Sequence, residues 1–265
     1  LTRSLEDLAP DALPSIEAFV RRRLATATAP LVVGLCGAQG SGKSTIASAL
    51  AERIPDTVVL SLDDLYIPKA RRGGAHRLLE TRGVPGTHDT ALGEAVLDAF
   101  RNGRPFVLPR FDKATDDRFP ASGWPHVANV RLMIFEGWCV GAEPQSPADL
   151  VEPVNALERD EDTDGSWRRL VNTALGGAYR NLFELDALVL LAAPGFEVVR
   201  RWRTQQEHAL AADIAAGRRM GRAMSDGEVD RFIQYYQRLT QHILREMPSR
   251  ADLVVRLDAD RKVIA

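Results

Sequence analysis

Only two of the 265 residues are cysteines, Cys36 and Cys139. Both lie inside apolar segments, so buried free thiols are expected rather than a secretory disulfide framework. No run approaches the roughly 18 apolar residues that a membrane span needs. Residues 1–19 lack the apolar stretch of a signal peptide and carry acids too early for a transit peptide, so a cytoplasmic chain is expected. The first residue is Leu rather than Met, which puts the expected natural start upstream. Net charge is almost absent, −2 from 34 basic and 36 acidic side chains. That leaves no general field for nucleic acid or an anionic membrane. Lysine is scarce as well: Lys43, Lys69, Lys113 and Lys262 are the four among those basic residues. What remains, 45% apolar and 26% charged, is ordinary for a globular protein long enough to bury a sizeable core.

Short apolar runs alternate with longer helical patterns. Leu31–Cys36, Thr57–Leu62, Arg131–Phe135, Ala187–Leu191 and Leu253–Leu257 are too continuous for half-exposed strands and read as strands buried on both faces of a parallel sheet. Helices are predicted over Pro14–Ala27, Lys43–Arg53, Thr90–Asn102, Phe196–Ala216 and Ser225–Arg245, the last opened by a capping box of Ser225 and Glu228. The implied fold class is α/β, a doubly wound parallel sheet with helices on both faces. One domain is expected over 30–265, after a helical extension over 1–29 packed on its core. Residues 64–89 and 103–129 interrupt the alternation, and irregular insertions of that length are usually functional or mobile. Arg71, Arg72 and Arg77 are expected in a mobile basic loop, and the acidic run Glu158–Gly165 in a solvated one.

Gly37-Ala38-Gln39-Gly40-Ser41-Gly42-Lys43-Ser44, followed by Thr45, fits the pattern G-x-x-x-x-G-K-[ST] between a predicted strand and helix. Several backbone N–H groups must meet phosphate oxygens at once, so the loop needs glycines that allow unusual φ and close approach. The helix that follows aims its N-terminal dipole at the anion. Lys43 adds a cation for the β- and γ-phosphates, and the Ser44 hydroxyl is placed to ligate Mg²⁺. A nucleoside triphosphate with Mg²⁺ is therefore expected. The guanine-reading tetrapeptide N-K-x-D and an L-S-G-G-Q-like signature are both missing.

Two strands end in acids. Thr57–Leu62 runs into Asp63-Asp64-Leu65-Tyr66, at the strand ends that line the ligand crevice of such a sheet. Either Asp could take the proton of an attacking hydroxyl. Arg131–Phe135 runs into Glu136-Gly137-Trp138, where a buried carboxylate suits the shell of a metal ion.

With these pieces the chain resembles the phosphoribulokinase, uridine kinase and pantothenate kinase group of P-loop kinases, and within it the D-glycerate kinase family. The resemblance covers roughly residues 30–260. It rests on GAQGSGKST (37–45), SLDDLY (61–66), RGVPGTHD (82–89), LPRFDK (108–113), Asp117-Arg118, Gly123-Trp124-Pro125, FEGWCVG (135–141), RWRTQQE (201–207) and MSDGEV (224–229). It implies an ATP-dependent kinase that phosphorylates a hydroxyl of D-glycerate or a similar hydroxy acid. Asp63 matches the group's catalytic base, Asp64 shares its motif, and Glu136 matches the acid near the metal. Arg201 and Arg203 match arginines of a lid-like segment, here 196–222, that comes over the transferred phosphate. Relatives tend to carry a glycine-arginine-glycine run before the Asp-Arg pair. Here the segment from Lys113 to Arg118 is shorter.

A hydroxy acid needs cations for its carboxylate and hydrogen-bonding groups for its hydroxyls. The candidates are Asp64, Tyr66, Arg82, His88, Asp89, Arg110, Asp112, Lys113 and Arg118. Asp89 also reads as an N-cap, and Phe111, Trp124 and Trp138 read as packing beneath the loops. The expected partner is a small-molecule acceptor, with neither nucleic acid nor membrane. The alternatives are another acceptor (a nucleoside, pantothenate or a sugar phosphate) or a nucleotide-dependent switch.

Overall fold

In the computed structural model, which describes residues 12–218 and 221–264, the apolar runs become five strands. These are β1 (Leu31–Gly37), β2 (Thr57–Ser61), β3 (Leu132–Gly137), β4 (Ala187–Ala192) and β5 (Leu253–Arg256). All neighbours pair in parallel, in the order β2-β3-β1-β4-β5. Alternate side chains of a strand face opposite ways, and here both directions lead into apolar cores. Val32, Cys36, Met133, Phe135, Leu188 and Leu190 enter one, while Val33, Leu35, Leu132, Ile134, Val189 and Leu191 enter the other. That is why these runs show no polar alternation.

The helices divide between the two faces. α1 (Ala12–Thr26) and α2 (Lys43–Arg53) cover the second core. α3 (Thr90–Arg101), α5 (Ser166–Gly176) and α6 (Ala178–Leu182) cover the first, with the short α4 (Ala156–Glu161) beside them. α7 (Glu197–Ala215) drives Trp202 into the second core, and α8 (Asp226–Glu246) lays Tyr235, Tyr236, Leu239 and Ile243 on the first. Ser225 and Glu228 form the capping box that opens α8. α7 and α8 meet Ala38 in a small third core of Phe196, Val199, Val229 and Ile233. The arrangement is the doubly wound α/β sheet that the strand pattern implies. No described helix is long and apolar enough to cross a membrane. Residues 1–11 of the expected extension, and 219 and 220 of the expected lid segment, lie outside the described residues.

Two expectations are corrected. The acidic run is not a solvated loop. Glu158 is fully buried and salt-bridged to Arg238 of α8, and Asp162 is buried against Arg168. The basic loop is held rather than mobile at Arg72, whose guanidinium is buried and bonds to Asp116, to the Ile67 carbonyl and to the Glu80 carbonyl.

The two insertions pack on each other at the C-terminal ends of the strands. Residues 103–129 form two small antiparallel ribbons, pairing Phe106 with Val127 and Phe111 with Arg118. Four ion pairs stitch the insertions together: Arg72–Asp116, Arg82–Asp116, Arg110–Asp64 and Arg118–Asp89.

Candidate active site

β1 ends in Gly37, and the loop to α2 turns through Gly40 at φ 79° and Gly42 at φ 89°, the left-handed region that side chains resist. Gly40 also lies against α7: a Cβ there would come within 2.7 Å of the Trp202 Cβ. α2 begins at Lys43 with no side chain capping it, so its first amides face outward toward any anion seated on the loop.

Two cavities meet at this loop. One, of about 360 Å³, is lined by Gly40, Gly42, Lys43, Ser44, Thr45, the α7 residues Gln205, Gln206, Ala209, Leu210 and Asp213, and Arg261. Arg261 donates to the Gly40 carbonyl at 2.6 Å and to the Gln205 side chain at 3.0 Å. The other, of about 100 Å³, is lined by Gln39, Lys43, Asp63, Tyr66, Arg82, Lys113, Trp138, Arg203, Phe232 and Tyr236. Lys43 belongs to both walls. A larger cavity of about 590 Å³ lies beside the N-terminal ends of β4 and β5, among Arg180, Asp252 and Glu143. It touches neither the glycine loop nor the strand-end acids.

The register sets the level of Glu136, which lies between Leu35 of β1 and Ser61 of β2. Its Oε1 accepts the Ser61 hydroxyl at 2.7 Å, while Oε2 is buried without a protein partner. Gly137 gives the room, since a Cβ there would come within 2.6 Å of the Leu62 Cβ. Two residues past β2, Asp63 accepts the Tyr66 hydroxyl on Oδ1 at 2.9 Å and Lys113 Nζ on Oδ2 at 2.5 Å. Burial works to raise its carboxyl, but the charges of Lys113 and Lys43 outweigh that and hold it well below the usual range.

Of the expected acceptor residues, Tyr66, Arg82 and Lys113 line the smaller cavity with Asp63. The others hold the walls. Asp64 accepts Arg110 at 2.9 Å and the Phe111 amide at 3.0 Å, turned away from the cavity. His88 is stacked on the far side of the Tyr66 ring, with Nδ1 taking the Tyr179 hydroxyl at 2.6 Å. Burial pushes its pKa down to about 3, so the ring is neutral. Asp89 caps α3 through the Leu92 amide and pairs with Arg118 at 2.8 Å, and Arg118 also reaches the Tyr66 carbonyl. Asp112 closes its own turn through Ala114 and Thr115. Arg203 enters the cavity wall, held by Glu207 and lying over Phe232. Arg201, one residue before Trp202, points instead to the Ala259 carbonyl and Asp260.

Trp138, Phe232 and Tyr236 complete the cavity without having been expected there. In the sequence they match the core pattern of their elements, and nothing separates a wall aromatic from a core one. Trp138 Nε1 donates to the Gly83 carbonyl and Tyr236 to the Arg82 carbonyl, so both fasten the 82–83 turn. Buried polar atoms without a protein partner gather here: both amide atoms of Gln39, Ser41 Oγ, Glu136 Oε2 and Arg203 Nε. Such a cluster is costly unless a ligand or water fills it.

Comparison with known proteins agrees with this geometry. A family model described as an AAA domain matches residues 32–118, from β1 to the end of the second ribbon. The uncharacterised kinase mug58 of Schizosaccharomyces pombe is 37% identical over 78% of this chain and 78% of its own length. The chloroplastic D-glycerate 3-kinase of Arabidopsis thaliana is 31% identical over 89% of this chain, which spans only 54% of that longer protein. The solved structure of D-glycerate 3-kinase from Cryptococcus neoformans superposes with a TM-score of 0.76 at 24% identity, over 96% of this chain and 97% of that one; at that identity the likeness speaks for the fold. With a glycine loop at the tip of β1, an acid beyond β2 and a relative of this identity and coverage, the chain belongs to the mug58-like family of ATP-dependent P-loop kinases.

Proposed function

We propose that the chain transfers the γ-phosphoryl group of ATP to a hydroxyl of D-glycerate or a similar small hydroxy acid. The observation that carries this reading is the charge and size of the smaller cavity. Lys43, Arg82, Lys113 and Arg203 face a single carboxylate, Asp63, in about 100 Å³. That excess of cations suits an anionic acceptor of few atoms beside a phosphate. A nucleoside brings no charge and needs more room. The D-glycerate 3-kinase of Arabidopsis among the similar proteins supports the same acceptor.

In this reading the triphosphate lies along Gly37–Thr45, and the base and ribose occupy the larger cavity beside α7. Lys43, shared by the two walls, faces the γ-phosphate. The acceptor hydroxyl gives its proton to Asp63 as its oxygen bonds to the γ-phosphorus, and the bond from that phosphorus to ADP breaks. Charge gathers on the phosphoryl oxygens of a loose transition state, and Lys43 and Arg203 neutralise it. Ser44 and Glu136 would hold Mg²⁺: the Ser44 hydroxyl opens on the nucleotide cavity, and Glu136 keeps one buried oxygen free of protein partners. No group of three His, Cys, Asp or Glu side chains capable of holding a metal occurs among the described residues, which fits an ion that completes its shell with phosphate and water. When bound, Mg²⁺ neutralises phosphate charge.

The test is a coupled assay of ADP release with ATP and Mg²⁺ over D-glycerate, glycerol, uridine, pantothenate and a sugar phosphate. Stimulation by D-glycerate is expected, and its absence would decide against this acceptor. ATP turnover indifferent to every acceptor would favour a nucleotide-dependent switch.

A further inference from the structure

Asp63 holds its two partners very differently. Tyr66, on Oδ1, is buried, stacked on His88 and edge-on to Phe111, and cannot leave without dismantling that packing. Lys113, on Oδ2, rises from the turn of the second ribbon on a flexible stem and is 59% exposed at the cavity mouth. The other cations of the cavity differ too. Arg82 is locked to Asp116, which also holds the buried Arg72. Arg203 is locked to Glu207. Lys43 makes no salt bridge among the described residues and faces the nucleotide side. Lys113 is thus the one described cation of the cavity whose salt-bridge partner is the base itself.

Resting on the hydroxy-acid reading above, we propose that Lys113 is a removable mask on Asp63, drawn off by the carboxylate of the arriving acceptor. An ammonium group bonded to a carboxylate oxygen makes that oxygen a poor proton acceptor. Exchanging one carboxylate for another costs Lys113 little, because it gives up one ion pair to form the next. Water and neutral alcohols bring no carboxylate and leave the mask in place. The device therefore couples recognition of the acceptor's charge to release of the base. It also restrains the wasteful reaction, in which water gives a proton to Asp63, its oxygen bonds to the γ-phosphorus, and the bond to ADP breaks to leave ADP and inorganic phosphate.

The experiment measures phosphate release from ATP and Mg²⁺ by the full chain with no acceptor present. Lys113→Met keeps the stem and removes the charge, so release should rise about tenfold or more, a part of the roughly 10²–10⁴-fold that a general base contributes. Lys113→Gln should do the same. Adding Asp63→Asn to Lys113→Met should return release to the parent rate. With acceptors, Lys113→Met should raise KM for D-glycerate and narrow its advantage over glycerol. Release no faster in Lys113→Met and Lys113→Gln than in the parent would overturn the mask, as would a rise that survives Asp63→Asn. The water reaction needs no acceptor, so an enzyme that ignores D-glycerate would refute the acceptor and leave the mask to be judged on phosphate release alone.

Discussion

Asp63 and Asp64 are adjacent, identical in type and set in opposite environments. Asp63 faces the cavity between a phenol and two lysines; Asp64 faces the ribbon and ties Phe111 and Arg110 to the end of β2. Asp63→Asn should therefore lower turnover by about 10²–10⁴-fold with little change in melting temperature. Asp64→Asn should lower stability by about 1–3 kcal/mol, through a half-lost salt bridge and a strained amide contact, and reduce turnover less. Paired thermal melts and steady-state rates separate the two. His88 gives a second residue-scale expectation. Its pKa falls from 6.5 to about 3 on folding, chiefly by burial. Between those values the unfolded chain binds a proton that the folded chain does not, so stability falls as pH drops from 6.5 toward 3. The slope approaches about 1.4 kcal/mol per pH unit and flattens below pH 3. His88→Phe keeps the stack on Tyr66, and denaturant titrations across that window should show this part of the slope gone. Residue type and spacing leave the two acids alike, and only the family resemblance singles out Asp63, because their roles depend on which way a short turn faces once the ribbon is in place.

At the scale of elements, legibility followed the length and regularity of the pattern. The strands and the five long helices were readable because buried parallel strands need unbroken apolar runs and long helices repeat their apolar face. The helices α4, α5 and α6 were not, and over α4 the run Glu158–Gly165 carries charges that look solvated. The burial of Glu158 depends on an arginine distant in sequence. Arg238 of α8 meets both oxygens of Glu158, at 2.7 and 2.6 Å, and also the carbonyls of Asp149 and Glu152. Replacing one member strands the other without water, so Glu158→Ala should destabilise by about 3–5 kcal/mol, read as a large fall in melting temperature. Replacing both with Leu and Met should recover much of it, since a buried pair adds little over a packed apolar one. The insertions were legible as functional but not in their internal wiring. Asp116, at φ 57° in the shortened segment, gathers Arg72 and Arg82, a contact that spacing along the chain does not encode.

At the scale of the molecule, the glycine loop divides two cavities and Lys43 stands in the wall between them. Nucleotide and acceptor should therefore respond to substitution in three distinct ways. Ligand that binds only the folded state raises its stability with the logarithm of concentration over Kd, by about 2.7 kcal/mol at a hundredfold excess. Thermal melts with a nonhydrolysable ATP analogue and with D-glycerate, each alone, read the two cavities separately. Gly40→Ala, forced into a left-handed φ against Trp202, should abolish the nucleotide shift and spare the acceptor shift. Arg82→Met should do the reverse, since Arg82 faces only the smaller cavity. Lys43→Met should weaken both, and it should also remove any excess stabilisation seen when the two ligands are added together, because the γ-phosphate and the acceptor carboxylate can lie so close only with a cation between them. A Lys43→Met protein that kept its D-glycerate shift unchanged would mean that the cavities are not joined through this side chain, and the transfer path drawn across it would have to run elsewhere.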